Sequence, residues 1–259
     1  MASDLPLLAA RGLEVRIGPL QVCAGFDLRI NAGECWGILG PNGSGKTTLL
    51  HTLAGVRPPA GGEIRAGATP LSRLEGRERA RHLGLLLQNE DYRFPIRVLE
   101  RVLAGRHPHL KALSWESAED LRMAWEALDR VGLGGQGQRL ASSLSGGERR
   151  RLQLAALWCQ GPRVTLLDEP ENDLDLRHQH RLLVDFIRAV TGEARAAVMV
   201  LHDPNLALRL CSHLLLLKDG GVLAQGPAAE TVSDKSLSQL YDCPVMQVQG
   251  PDGPLFVAR

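Results

Sequence analysis

An α/β fold interrupted by a helical insertion is the architecture that this sequence predicts, and three observations predict it. Strand-like and helix-like runs alternate up to about residue 90. Amphipathic helical patterning takes over between about 95 and 160, and strand–helix alternation then resumes. Such alternation argues for a largely parallel sheet with helices packed on it.

The elements follow in chain order. GLEVRI and FDLRI alternate apolar and polar residues as half-buried strands do, and CWGILG is an apolar run that ends in Gly40. A helix is expected from Lys46 to Leu53, then a hairpin over GEIRAGATP and a buried strand over LGLLLQ, Leu83 to Gln88. Pro95 to Leu103 reads as helical. Glu116 to Val131 reads as an amphipathic helix with Leu121, Ala124, Trp125, Leu128 and Val131 on one face. The connector GLGGQGQ leads to a third helix, Gly146 to about Cys159. Beyond it come a strand in RVTLLDE, a helix from about Leu176 to Val190, and a strand in AAVMVLHD. Asp203-Pro204 then supplies an N-cap with proline in the first helical position. LLLLKDGGVLAQG is a hairpin around Asp219-Gly220, and the tail after Pro227 offers short helices and a last hairpin at PDG.

Composition limits the classes of function. A chain of 259 residues, 44% hydrophobic, is long enough to bury a substantial core. Its net charge of +1 leaves no electrostatic footprint for nucleic acid or an anionic membrane. Cysteines 23, 35, 159, 211 and 243 are scattered with no CxxC pair, which reads as reduced, buried thiols. MASDLPLLAARG does not read as a signal peptide, and no apolar run approaches the roughly 20 residues of a spanning helix. A soluble protein is expected, with any membrane role coming through a partner.

Gly40-Pro41-Asn42-Gly43-Ser44-Gly45-Lys46-Thr47, followed by Thr48, satisfies G-x-x-x-x-G-K-[ST] between an apolar strand and a helix. Its glycines let backbone N–H groups close around phosphates at a helix N-terminus, which already favours anions. Lys46 would reach the β and γ phosphates, and the Thr47 hydroxyl would ligate Mg²⁺. LLDEPENDLDL, Leu166 to Leu176, carries Asp168, Glu169, Glu171, Asp173 and Asp175. A calcium loop is excluded, because the sixth-position glycine is missing and proline and leucine fall at the wrong positions. Asp168, at the end of a buried strand, suits the Mg²⁺ water shell, and Glu169 can orient and deprotonate an attacking water.

Leu144-Ser145-Gly146-Gly147-Glu148 contains a capping box, Ser145-x-x-Glu148, that starts a helix. Two glycines in a first turn cost about 1 kcal/mol each relative to alanine. They make sense where an anion must approach the backbone. The chain thus has a second anion-binding helix start but only one P-loop.

Taken together, GPNGSGKTT, Gln88 at a strand end, LSGGERRRL, VTLLDEP, the ENDLD segment and His202 make the chain resemble the ATP-binding subunits of ABC transporters. The resemblance covers nearly the whole chain and separates it from P-loop kinases. It implies one P-loop NTPase domain of ABC type over 1–259. Within it are expected a RecA-like core with an antiparallel β subdomain, about 1–90 and 160–225, a helical subdomain, about 91–159, and a tail, about 226–259. It further implies a homodimer facing head to tail, with each ATP between one P-loop and the other subunit's Ser145, Gly146, Gly147 and Glu148. Gln88 would sense Mg²⁺ and the attacking water, His202 would contact the γ-phosphate, and Asp175 would end the segment crossing the dimer interface. Alone, an end-of-strand histidine is more often structural, and Gln88 an ordinary polar strand end.

The chain departs from the family at several places. The aromatic residue that usually stacks on adenine is missing near Ile17; Arg16 is an alternative platform or a solvated side chain. Glu171 stands where a small polar residue is common, and solvation is expected for it; Asp173 has no assigned role. His178 and His180 lie two apart and so do not share a helix face as a metal pair would. Arg149-Arg150-Arg151 reads as a solvated helix face rather than a nucleic-acid patch. PIRVLERVLAGRHPHL and the tail from LHDPNLALRL to SLSQLYDCPV resemble importer ATPases for ferric siderophores, haem and cobalamin. That implies a polytopic permease contacted near Phe94–His109, a substrate-binding protein engaged indirectly, no nucleic acid, and a place on the cytoplasmic face of the membrane. The competing reading is a soluble ABC ATPase, as in iron–sulfur cluster assembly.

Overall fold

The computed structural model describes residues 5–88, 94–111, 114–172, 176–250 and 253–259, without the side chains of 176–180. It resolves into two compact units, one comprising the chain up to Arg73 and from Val190 onward, the other Leu74–Ala189. In the first unit, β1 (Leu8–Ile17) pairs antiparallel with β2 (Leu20–Ile30). Leu13 and Val15 of GLEVRI, and Phe26, Leu28 and Ile30 of FDLRI, are buried at alternate positions, as the alternation of both runs requires. β3 (Cys35–Leu39) is buried at every position, which explains its unbroken apolar run, and leads through Gly40 to Gly45 into α1 (Lys46–Leu53). β4 (Gly61–Ala66) joins the other edge of β1, and β5 (Thr69–Pro70) pairs with β4, giving the order β2-β1-β4-β5.

The second unit opens with α2 (Gly76–His82) and β6 (Leu83–Leu86). The helix expected from Pro95 begins instead at Val98, as α3 (Val98–Leu103). Pro95 to Arg97 stay out of the helix because Ile96 O accepts from Ala141 N at 2.9 Å, and Arg97 bridges Leu140. α4 (Ala118–Arg130) is capped by Ser117, and its buried face is Ala124, Ala127 and Leu128, continued by Val131. Leu121, expected on that face, is 39% exposed. Trp125 lies against the connector: a Cβ on Gly137 would come 2.3 Å from the indole, so that glycine is a close-approach site. Arg106 joins α4 to α5 (Gly146–Gln160) by bonding Asp120 Oδ1 at 2.8 Å and Cys159 O at 3.0 Å. β7 (Val164–Asp168) runs parallel to β6, and α6 (Leu176–Gly192) follows.

The chain then returns to the first unit. β8 (Ala196–Val200) pairs parallel with β3, and α7 (Pro204–Leu210) begins at the Asp203 cap. β9 (His213–Lys218) pairs parallel with the other side of β3 and antiparallel with β10 (Gly221–Pro227), through a turn in which Asp219 and Gly220 have φ of 49° and 75°. α8 (Ala228–Thr231), α9 (Asp234–Tyr241) and the antiparallel pair β11 (Val245–Gly250) and β12 (Gly253–Ala258) complete the tail. Asn205 on α7 holds β12 by donating to Phe256 O at 3.0 Å and accepting from Phe256 N at 2.7 Å. Four cysteines are buried and Cys243 is half-buried. No helix among the described residues is long and apolar enough to cross a membrane.

Candidate functional site

Parallel register organises the functional residues of each unit. In the first, Ile38 of β3 pairs with Val200 of β8. Gly40 and His202 each lie two residues beyond that pair, so the P-loop and His202 leave the carboxyl ends of neighbouring strands. That end of an open parallel sheet is where ligands bind in α/β folds. Gly40 is confined by the chain around it: a Cβ there would lie 2.3 Å from Leu217 O and 2.7 Å from Ser44 Oγ. Gly43 and Gly45 have φ of 80° and 93°, in the left-handed region that favours glycine. Lys46 is buried and folds back over the loop, its Nζ donating to Gly40 O at 2.9 Å and Pro41 O at 3.0 Å. Ser44 Oγ is buried and makes no hydrogen bond among the described residues, so it can serve an anion's oxygen. Thr47 and Thr48 are half-buried in the first turn of α1, Pro41 is half-buried, and Asn42 is exposed at the loop's tip. His202 is exposed.

The second unit repeats the register logic. Leu86 of β6 pairs with Leu167 of β7, and two residues beyond each stand Gln88 and Glu169. Gln88 Nε2 donates to Glu169 Oε2 at 2.6 Å. Asn172 Nδ2 donates to the same oxygen at 2.7 Å. Asp168 closes β7 and is almost wholly buried, and Glu169 is buried too. Glu169 has φ of 46°, an unusual conformation for a side chain of its size, at the turn where the strand ends. Asp173 and Asp175 lie outside the described residues, and the side chains of His178 and His180 are likewise not described.

At the start of α5 the expected capping box is present. Ser145 Oγ accepts from Glu148 N at 3.3 Å, and Glu148 Oε2 accepts from Ser145 N at 2.8 Å. The Ser145 amide, with Arg139 at 3.3 Å, holds the Glu148 carboxyl below its ordinary value. Ser145 and Gly146 are exposed and Gly147 is half-buried. Because the Ser145 oxygen accepts the cap bond, its O–H proton remains available to a bound anion.

Two expectations are corrected. Arg149, Arg150 and Arg151 are not a solvated face: Arg149 and Arg151 are half-buried, and Arg150 is only 4% exposed. Its Nη1 donates to Leu87 O at 2.9 Å and Gln153 Oε1 at 3.1 Å, and its Nη2 to Asp168 O at 3.0 Å and to Glu169 O. Arg150 shares a face of α5 with Gln153, Leu154 and Leu157, all buried. Glu171 is half-buried rather than solvated. Asn172 was given no role by sequence reasoning, and no pattern in LLDEPENDLDL singles it out. Near the missing adenine-stacking aromatic, Arg16 is exposed and Ile17 is 37% exposed.

The donors fit Mg²⁺ and nucleotide phosphates. Among the described residues no three His, Cys, Asp or Glu side chains gather as a metal site. The hydroxyl of Thr47, in the first unit, and the buried carboxylate of Asp168, in the second, are each oxygen donors of the kind Mg²⁺ takes alongside substrate phosphates.

Comparison with known proteins identifies the family. A family model described as ABC transporter matches residues 23–172. The chain is 38% identical to a hemin import ATP-binding protein HmuV of Burkholderia ambifaria, over 95% of this chain and 97% of that one. It is 40% identical to the protein of that name from Streptomyces coelicolor, over 92% and 84% of the two chains. Among solved structures it is similar to a metal-chelate type ABC transporter in an inward-facing conformation, with a TM-score of 0.84, 25% identity, and 98% and 97% of the two chains covered. These likenesses do not favour the soluble cluster-assembly alternative. The chain belongs to the ABC transporter family, as an ATP-binding subunit that hydrolyses ATP.

Proposed function

We propose that the chain powers import of a metal-chelate substrate of the haem, cobalamin or ferric-siderophore class, with haem favoured by the names of its relatives. The observation that carries the hydrolytic mechanism is the carboxylate of Glu169, held by Gln88 and Asn172 at the ends of two registered strands. Gly40 to Thr48 would wrap the phosphates, with Lys46 turning from the loop carbonyls to the β and γ phosphates. His202 would contact the γ-phosphate. Thr47 and Asp168, with Gln88 through water, would hold Mg²⁺, which when bound neutralises phosphate charge. Water attacks the γ-phosphorus as the bond to the ADP oxygen breaks, and its proton passes to Glu169, help worth about 10²–10⁴ in rate.

Ser145, Gly146 and Gly147 would serve the γ-phosphate of a second copy, while the Glu148 carboxylate keeps the helix start in shape. The helical subdomain, about 91–159, would meet a polytopic permease near Phe94–His109, on the cytoplasmic face of the membrane; Phe94 is 81% exposed. A substrate-binding protein would act only through that permease. Glu169→Gln tests the base: it should bind Mg-ATP, hydrolyse it at least about 10²-fold more slowly, and accumulate as a dimer on gel filtration. Unchanged turnover would remove Glu169 from that role.

A further inference from the structure

Arg150 is the one buried arginine among the described residues. It stands one helical turn inside α5 from the exposed Ser145-Gly146 start, and a guanidinium cannot shed its charge to ease burial. Besides Gln153 Oε1, its N–H groups bond main-chain oxygens at two places. One is Leu87 O, on the residue before Gln88. The others are Asp168 O and Glu169 O, on the residue pair that ends β7. The carbonyl of Glu169 also accepts from Asn172 N at 3.2 Å, while the Asn172 side chain holds the Glu169 carboxylate. Glu169 sits in the left-handed region, a conformation that persists only where its surroundings enforce it. Main-chain bonds from a planar, five-donor fork are a means of enforcing it.

We infer that Arg150 and Asn172 are positioning residues for hydrolysis. Arg150 fixes the backbone of Glu169 and of the strand end that presents Gln88, and Asn172 fixes the Glu169 carboxylate. Arg150 also belongs to the helix whose first residues form the second anion site. Whatever engages Ser145 and Gly146 therefore acts on a helix bonded directly to the Glu169 backbone. The inference rests on the reading of Glu169 as base.

The test uses the full chain and three substitutions, each made alone and in a Glu169→Gln background: Arg150→Met, which removes every donor; Arg150→Lys, which keeps one charged donor group; and Asn172→Ala. A small displacement of a reacting group costs up to about 10²-fold, so kcat should fall by that order in Arg150→Met and Asn172→Ala. Arg150→Lys should recover part of the loss. KM for ATP, and Mg-ATP affinity measured with a fluorescent nucleotide, should stay within about twofold, within the scatter expected when binding contacts are untouched. In the Glu169→Gln background the same changes should lower the residual rate no further, because both residues act through Glu169. If Arg150→Met does not fold, Arg150→Lys and Asn172→Ala carry the measurement. Undiminished kcat in these variants overturns the positioning role alone. So does a further equal loss in the Glu169→Gln background, or a parallel fall in ATP affinity, since a general structural role would produce either. Full turnover in Glu169→Gln itself overturns the base assignment and the positioning with it.

Discussion

At Gly45 the backbone stands at φ 93°, and a Cβ would come 2.5 Å from Val22 Cγ2. Gly45→Ala therefore meets backbone strain and a packed neighbour together. Strain of this kind costs about 1–3 kcal/mol. The variant should melt at a lower temperature and lose ATP affinity, both readable by calorimetry. Ile17 calls for the opposite experiment. It is 37% exposed and lies near the position at which the family resemblance implies an adenine-stacking ring. A stacking contact adds about 1–3 kcal/mol, so Ile17→Tyr should tighten ATP binding by roughly tenfold. Equal affinities in a nucleotide titration would show that the base does not rest there. Arg150 marks the limit of residue-by-residue reading. Set between two other arginines it resembles a solvated charge run, and only the burial of the α5 face distinguishes it.

Helix starts were legible because caps act over three residues. Ser145 with Glu148 forms its box as the spacing implies, while Ser117 with Asp120 forms one at α4, where the helix was expected to begin at Glu116. Replacing Ser145 by alanine should cost about 1 kcal/mol in a thermal melt. At α4 the box is reinforced by Arg106, and the hydroxyl of Ser117 and the guanidinium of Arg106 hold the Asp120 carboxyl down at about 2. A depressed carboxylate stabilises the fold above its unfolded value and loses that contribution as pH falls through its folded value. The Tm gap between the wild type and Asp120→Asn should thus be full at neutral pH and close between the ordinary 3.8 and about 2. A gap independent of pH would exclude the ionised Asp120 as its source. The start of α3 was not legible. Residues 95–97 carry a helical pattern, yet bonds from Ala141 N to Ile96 O and from Val98 N to Arg139 O hold them extended. Those partners lie more than forty positions away, beyond any periodicity window.

Across the whole molecule, the functional residues divide between two compact units. The P-loop and His202 lie in one, and Gln88, Glu169 and the α5 start lie in the other. Each set was named from sequence motifs, and within each the parallel strand register explains why those residues gather at strand ends. In the proposed head-to-tail dimer, one nucleotide is held by the P-loop of one copy and the α5 start of the other. Light scattering should accordingly report a dimer of Glu169→Gln only with Mg-ATP, and Ser145→Arg, which obstructs the second anion site, should abolish it. Co-purification with a polytopic membrane protein is the expected outcome of expressing the chain with its neighbouring genes. Association with soluble proteins alone would count against the importer.

By itself the sequence determined what is encoded over a few residues. These features are the P-loop glycines, the Ser145–Glu148 capping box, the Asp219-Gly220 turn, and the end-of-strand carboxylates Asp168 and Glu169. Each depends on backbone conformation and hydrogen bonds that close within a turn, so residue type and spacing suffice. Tertiary structure decided which of these features touch. Gln88 reaches Glu169 across 81 positions because Leu86 pairs with Leu167. Arg150 becomes a buried clamp because α5 packs its face inward, a result of how the helix is packed that local composition does not contain. The physical reason is range: a cap or turn is stabilised by its own neighbours in sequence, whereas register and burial are set by the packing of elements far apart along the chain.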